Sequence, residues 1–230
     1  MAGEDHDLIA EQIEYYSRRA PEYDETSAPP GDPLLTHGRR IEAALDRFRP
    51  EGRVLEIACG TGSWTRCNLR HASDLTALDS SREMLELNRR KLAGAGVRYI
   101  QADVFGWEPQ PIYDVVTFAN WLSHVPPARF DEFWDVVARC LAPGGRVFFT
   151  DEVKDVWRND ESLGEESLEH ERAPLVRRTL RNGTTYRVVK VFWDPATLEG
   201  RLRAGGWDVT LHSTGILYWG EGTRASSSPG

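Results

Sequence analysis

The residues best placed to do chemistry surround one glycine turn. Val54-Leu55-Glu56-Ile57-Ala58-Cys59-Gly60-Thr61-Gly62-Ser63-Trp64 is a short apolar run broken only by Glu56, then a turn of small residues, then a helix start at Ser63. Gly60 and Gly62 lack a Cβ, so the loop can take unusual dihedrals and lie flat against a ligand. The helix N–H groups that follow favour a carboxylate or phosphate at the same spot. A dinucleotide fingerprint needs a third small residue under its pyrophosphate, and that position is Thr65. A P-loop needs a lysine in its Gly-Lys-Ser/Thr run, and none follows Gly62. What remains is a glycine loop with Glu56 at the end of its strand, a carboxylate that repels a pyrophosphate and suits an ammonium group.

Two further acids repeat the placement. Asp79 closes a second apolar strand, Asp74 to Asp79, 19 residues beyond Gly60. A carboxylate at the tip of the second strand, about 20 residues on, is how such folds hold ribose hydroxyls. A third strand, Val97 to Ala102, leads into Asp103, placed to accept from an adenine amino group. Three successive strand ends carrying Glu56, Asp79 and Asp103 are far more specific than any one of them.

On these residues the sequence resembles the class I S-adenosylmethionine-dependent methyltransferases, closely over residues 50 to 150 and more loosely to about residue 220. The resemblance makes Glu56-x-Ala58-x-Gly60-x-Gly62 the cofactor loop, with Ala58 where the family usually has glycine. It puts Asp79 on the ribose, Ser80 and Met84 near the adenine, Asp103-Val104 on the adenine ring, and Asn120 beside the methionine part. It implies S-adenosylmethionine as cofactor, S-adenosylhomocysteine as its product, and a small-molecule acceptor methylated on oxygen or nitrogen. Carbon methylation of a quinone precursor and a catalytically silent cofactor-binding protein are the alternatives. Tyr15 to Asp24 is similar to the tyrosine-rich segment that folds over the cofactor in small-molecule members. Tyr16 and Tyr23 are then candidate contacts, through cation–π attraction to a sulfonium, or they simply pack their helix on the body.

Methyl transfer from a sulfonium is an in-line displacement, so alignment and exclusion of water carry most of it. A phenol or carbon acid also needs a base. The candidate is His124, four residues beyond Asn120 on the loop after the fourth strand. An unperturbed imidazole titrates near neutrality. The competing reading is a histidine hydrogen-bonded to loop backbone, orienting a wall of the site. Adenine N6 enzymes carry Asn/Asp-Pro-Pro-Tyr/Phe after that strand to hold an extruded base; here the residues are Asn120-Trp121-Leu122-Ser123.

These residues need a scaffold that brings strand ends together. Strands at Val54–Ile57, Asp74–Asp79, Val97–Ala102, Asp114–Phe118 and Arg146–Thr150 alternate with helices opening at Ser63, at Ser80 or Ser81, and at Pro126-Pro127. That alternation predicts a doubly wound α/β fold, a mostly parallel seven-stranded Rossmann-like sheet. Residues 1–49 form an N-terminal helical lid segment, 50–151 the cofactor-binding core, and 152–193 an insertion capping the substrate pocket. Residues 194–221 supply the last helix and a closing antiparallel pair, and 222–230 a disordered tail. Asn182-Gly183 between two β-branched runs predicts a hairpin inside the insertion. Residues 151–173 read as loop with a short surface helix.

The 230 residues, 40% hydrophobic and 28% charged, suit one globular domain. A net charge of −8 argues against a nucleic-acid partner. No apolar run reaches the ~20 residues of a membrane span, and the acidic N-terminus lacks a signal-peptide pattern. Three cysteines without CxxC spacing predict reduced cytoplasmic thiols and no metal site. The sequence leaves a homodimer open.

Overall fold

The computed structural model describes residues 2–27, 31–109, 113–153, 166–168 and 174–225. The chain begins with helix α1 (Ala2–Arg19), a 3-10 turn, the short α2 (Tyr23–Ser27) and α3 (Pro33–Phe48). Asp32 caps α3 by accepting from the Leu34 N–H at 2.7 Å, and Pro33 occupies the first turn, where a missing N–H costs nothing. The core alternates β1 (Gly52–Ile57), α4 (Ser63–Asn68), β2 (Ala72–Asp79), α5 (Arg82–Lys91), β3 (Arg98–Gln101), β4 (Tyr113–Ala119), α6 (Phe130–Cys140) and β5 (Leu141–Glu152). Then come β6 (Glu166–Leu168), β7 (Leu175–Thr179), β8 (Thr185–Val189), α7 (Pro195–Ala204), β9 (Trp207–Ser213) and β10 (Leu217–Arg224).

Seven strands form one sheet in the order β3-β2-β1-β4-β5-β10-β9. The first five run parallel, and β10 lies antiparallel to both neighbours. Because strand side chains alternate faces, each central strand feeds two cores. Leu55, Ile57, Val116, Phe118, Val147 and Phe149 meet Phe133, Trp134 and Val137 of α6 and Leu198 of α7. Val54, Val115 and Phe148 meet Ile41, Leu45 and Phe48 of α3. A strand buried on both faces has no room for a polar side, which is why β4 reads as nearly continuous apolar sequence.

The insertion is a separate three-stranded antiparallel sheet, β6-β7-β8. Its hairpin turns at Gly183, whose φ of 84° is in the left-handed region, with the Leu180 and Thr184 backbones paired across it. This sheet packs on the N-terminal helix. Leu8 of α1 contacts Leu175, Val189 and Val191, and Tyr15 contacts Val176, Leu180 and Val188. The two segments expected as lid and cap thus share a core.

Several boundaries differ from the sequence reading. The fifth strand, expected at Arg146–Thr150, starts at Leu141, so Pro143-Gly144-Gly145 lies within β5. Tyr113 already pairs with Leu141, and the register shifts before Val115 pairs with Arg146; Gly144, at φ 75°, absorbs the irregularity. The helix expected from Pro126-Pro127 opens as a 3-10 turn and becomes α-helical at Phe130. α4, opening at Ser63 as expected, stops at Asn68. β8 ends at Val189, and the Val191 N–H leaves the hairpin and bonds the Ser123 carbonyl at 2.7 Å. Residues 222–224, expected as tail, belong to β10, with Arg224 paired with Trp207; residues 226–230 lie outside the described residues. Of the stretch 151–173, residues 151–152 end β5 and 166–168 form β6; the surface helix expected there otherwise lies outside the described residues.

Candidate active site

A parallel sheet delivers its strand ends to one edge, and the positions named from sequence gather there. A cavity of about 730 Å³ is lined by Ala58 and Gly60 after β1, Asp79 and Ser80 at the end of β2, Met84 of α5, Asp103 and Val104 after β3, and Asn120 after β4. Ile9, Gln12, Ile13 and Tyr16 of α1, with Tyr23 of α2, form its roof, and His124 and Trp121 one wall. Two expected residues lie elsewhere. Glu56 lines an adjoining, larger cavity of about 1230 Å³ that shares Tyr23, Ala58, Gly60 and Asn120 with the first. Gly62 lines neither.

The backbone at this edge is bent where ligands approach. Ala58 has φ 53° and Asn120 φ 51°, left-handed conformations that non-glycine residues occupy at a cost and mostly at functional positions. Both follow central strands directly, so both turn the chain sharply away from the sheet. Gly60, at φ 52°, has nothing within 4 Å of where a Cβ would sit. At Gly62 a Cβ would lie 2.7 Å from Asn88 Oδ1. That glycine lets α4 approach α5.

Asp79 is the organising side chain. It is 8% exposed. Its Oδ2 accepts from the Gly60 N–H at 2.8 Å and its Oδ1 from the Ser81 N–H at 2.9 Å. One carboxylate therefore tethers the glycine loop to the start of α5. Burial pushes its pKa up, opposed by those backbone donors. Glu56 is 2% exposed, and its Oε2 has no hydrogen-bond partner among the described residues. Burial, followed by the opposing pull of Thr65 and Asn68, pushes its pKa up to about 8. That buried carboxyl leaves one oxygen without a hydrogen-bond partner among the described residues, beside the glycine loop.

Sequence reasoning missed how the roof is fastened. Gln12 spends both ends of its amide: Nε2 donates to the His124 carbonyl at 3.2 Å, and Oε1 accepts from the Val189 N–H at 3.1 Å. The His124 ring lies 2.7 Å from the Val189 carbonyl through Nδ1 and 2.8 Å from Tyr16 Oη through Nε2. Arg178 Nη1 donates to the same hydroxyl at 3.2 Å. Lys190 bonds Ser123 Oγ at 3.2 Å and pairs with Glu152 at 2.9 Å. Farther along, Thr61 donates to Asp24 of α2 at 2.6 Å, and Lys91 pairs with the same carboxylate. One signal was available: Gln12 is a polar residue on the apolar face of α1, beside Ile9, Ile13 and Tyr16. Arg178 and Lys190, 6% and 3% exposed, are buried cations that no local pattern announces.

The cysteines stay apart from this chemistry. Cys59, Cys67 and Cys140 are free and buried, and burial pushes the Cys59 thiol well above its ordinary value. Among the described residues, no group of three or more His, Cys, Asp or Glu is set to hold a metal. No helix there is long and apolar enough to cross a membrane.

The residues fit an adenosyl amino acid. The glycine turn is open at Gly60, the carboxylates Asp79 and Asp103 and the apolar Met84 and Val104 line one cavity, and Glu56 Oε2 has no partner among the described residues. Comparison with known proteins agrees. A family model described as a methyltransferase domain matches residues 54–145. The ubiquinone biosynthesis O-methyltransferase of Pectobacterium carotovorum subsp. carotovorum is 34% identical over 102 residues, 43% of this chain and 42% of that protein. The chain thus spans about two fifths of the length of that relative. The Xanthomonas axonopodis pv. citri protein of the same name is 29% identical over 195 residues, 82% of this chain and 77% of its own. Among solved structures, DhpI with S-adenosylhomocysteine superposes with a TM-score of 0.78 at 37% identity, covering 96% of this chain and 99% of DhpI. A complex of DhpI with S-adenosylmethionine and a molecule designated HEP gives 0.78 at 39%, covering 94% and 98%. With its strand-end site and this match along nearly the whole chain, the protein belongs to the class I S-adenosylmethionine-dependent methyltransferases.

Proposed function

We propose that the chain transfers a methyl group from S-adenosylmethionine to an oxygen or nitrogen of a small molecule. The observation that carries this is the meeting of four strand tips at one roofed cavity that continues, past Ala58 and Asn120, into a second. When bound, the cofactor supplies a methyl on a sulfonium sulfur, already an activated electrophile. The chain's own part is to bind, align and exclude water. The remaining lone pairs of Asp79 are placed for ribose hydroxyls, and Asp103 for an adenine amino group. Glu56 Oε2 supplies the acceptor an ammonium lacks. Tyr16 and Tyr23 close the roof with rings whose faces attract a sulfonium. Ile9 and Ile13 keep water out. The relatives named O-methyltransferases favour oxygen as the acceptor atom, and DhpI's complex with HEP favours a small acceptor. Three buried free thiols suit a reducing, cytoplasmic setting.

Calorimetry with S-adenosylmethionine, followed by label transfer from the methyl-labelled cofactor to a panel of small acceptors, tests the reading. The expected result is saturable binding and at least one labelled small product. Binding without any labelled product would reduce the chain to a cofactor-binding protein; no binding would remove the reading altogether.

A further inference from the structure

His124 stands where a catalytic base belongs, yet both its ring nitrogens are engaged within the protein. A carbonyl oxygen can only accept, so the 2.7 Å contact to Val189 requires the hydrogen on Nδ1. In the neutral ring Nε2 is then a lone pair, and the 2.8 Å contact to Tyr16 Oη requires Tyr16 to donate. Burial, then the Lys190 and Arg178 charges, keep the ring neutral by holding its pKa well below the ordinary value. Tyr16's own hydrogen is therefore spent on His124. Its oxygen also accepts from Arg178 at 3.2 Å, and Tyr16 and His124 both line the cavity.

We propose, resting on the methyl-transfer reading above, that the acceptor is a hydroxyl compound whose proton is taken by Tyr16 Oη, with His124 the positioning residue that fixes the direction of that hydrogen bond and receives Tyr16's own proton. As the acceptor oxygen forms its bond to the methyl carbon, the electron pair of the breaking C–S bond stays on sulfur. The acceptor O–H proton passes to Tyr16 Oη, and the Tyr16 proton passes to His124 Nε2, leaving a neutral ether and an imidazolium held by the Val189 carbonyl. A weak base suffices, because an oxygen that has gained a methyl while keeping its hydrogen is strongly acidic. The imidazolium faces Arg178 from β7, Lys190 after β8 and Arg19 from α1; Asp151 and Glu152 of β5 stand against Lys190, and Tyr15 and Tyr23 beside Tyr16. The surrounding cations return its proton to solvent once product leaves. Gln12 holds the arrangement by bridging the His124 and Val189 backbones. An amine acceptor attacks through a neutral lone pair and has no use for this relay.

The test uses the full chain with methyl-labelled cofactor and a panel of phenols, aliphatic alcohols and primary amines. We expect hydroxyl compounds to be methylated, with rates level through neutral pH and falling only in acid as His124 protonates. Tyr16→Phe and His124→Gln should each lower kcat for the hydroxyl substrate by about 10²–10⁴-fold with KM within about threefold. His124→Gln still offers Tyr16 an acceptor, so its loss reads basicity and not packing. Nitrogen NMR of isotope-labelled histidine, with S-adenosylhomocysteine bound, should show a neutral His124 ring carrying hydrogen on Nδ1. Methylation of amines alone, full kcat in either variant, or a ring protonated on Nε2 at neutral pH would overturn the relay. Cofactor binding with no acceptor methylated would instead sink the methyl-transfer reading, and the relay with it.

Discussion

Asp79→Asn separates the two duties of one carboxylate. In the native protein both oxygens accept from backbone N–H groups, Gly60 at 2.8 Å and Ser81 at 2.9 Å. An asparagine of the same shape keeps one acceptor and turns a second donor on the other N–H. The Ser81 bond is local, two residues along the chain, and survives at little entropic cost. The Gly60 bond spans 19 residues and is the one lost. A buried donor left without a partner costs about 1–3 kcal/mol, partly offset because the amide is cheaper to bury than the charge. For a chain of this size that corresponds to a fall in Tm of roughly 2–12 °C. The loss should be local as well as global, since the glycine loop loses its tether to the end of β2. Urea denaturation, hydrogen exchange at the Gly60 amide and calorimetry with S-adenosylmethionine read the three consequences. We expect a lower unfolding midpoint, faster Gly60 exchange and weaker binding. A variant matching the wild type in midpoint and in Gly60 exchange would show that Asp79 does not hold the loop, and the account of the site would be wrong.

Two further perturbations follow from buried positions. Glu56, at about 8 in the folded chain against an ordinary 4.5, keeps a proton that the unfolded chain releases. Its contribution to stability is therefore complete below pH 4.5, declines as pH rises, and is gone above about 8, at up to about 1.4 kcal/mol per pH unit. Glu56→Gln should flatten that part of a pH series of denaturation curves taken without cofactor; parallel curves for both proteins would refute the assignment. Gly62→Ala places a Cβ 2.7 Å from Asn88 Oδ1 at a φ of 98°. Backbone strain of order 1–3 kcal/mol should appear as a lower urea midpoint, and an unchanged midpoint would mean that α4 and α5 part easily.

The glycine loop, the acids at successive strand ends and the parallel α/β order were legible in the sequence because each is written locally. A short apolar run gives the burial of Val54 to Ile57, and a strand's last residue gives the place of Asp79. Chain order fixes which ends meet, since right-handed crossovers bring parallel strands out at one edge. Asn182-Gly183 marked its hairpin for the same reason: a tight turn, here Arg181 to Gly183 closed by the Leu180–Thr184 pair, needs no distant partner. The bulge inside β5 escaped because Pro143-Gly144-Gly145 serves a turn or a bulge equally well, and only pairing of Leu141 with Tyr113 decides between them.

The sequence by itself thus determined the glycine loop and the strand-end residues that line one cavity, because they lie at the ends of elements it could place. Only the tertiary structure decided what stands over that cavity. Gln12, Tyr16, His124, Arg178 and Val189 come from four remote segments, and their hydrogen bonds span 65 to 177 residues. Whether His124 bonds its own loop, the insertion or the N-terminal helix depends on how α1 and the β7–β8 hairpin pack on the sheet edge. That packing is set by apolar side chains such as Leu8 and Tyr15, whose partners no local pattern specifies. Hydrogen bonds between residues so far apart in sequence leave no period or motif behind, because the chain brings their donors and acceptors together only after its cores have formed.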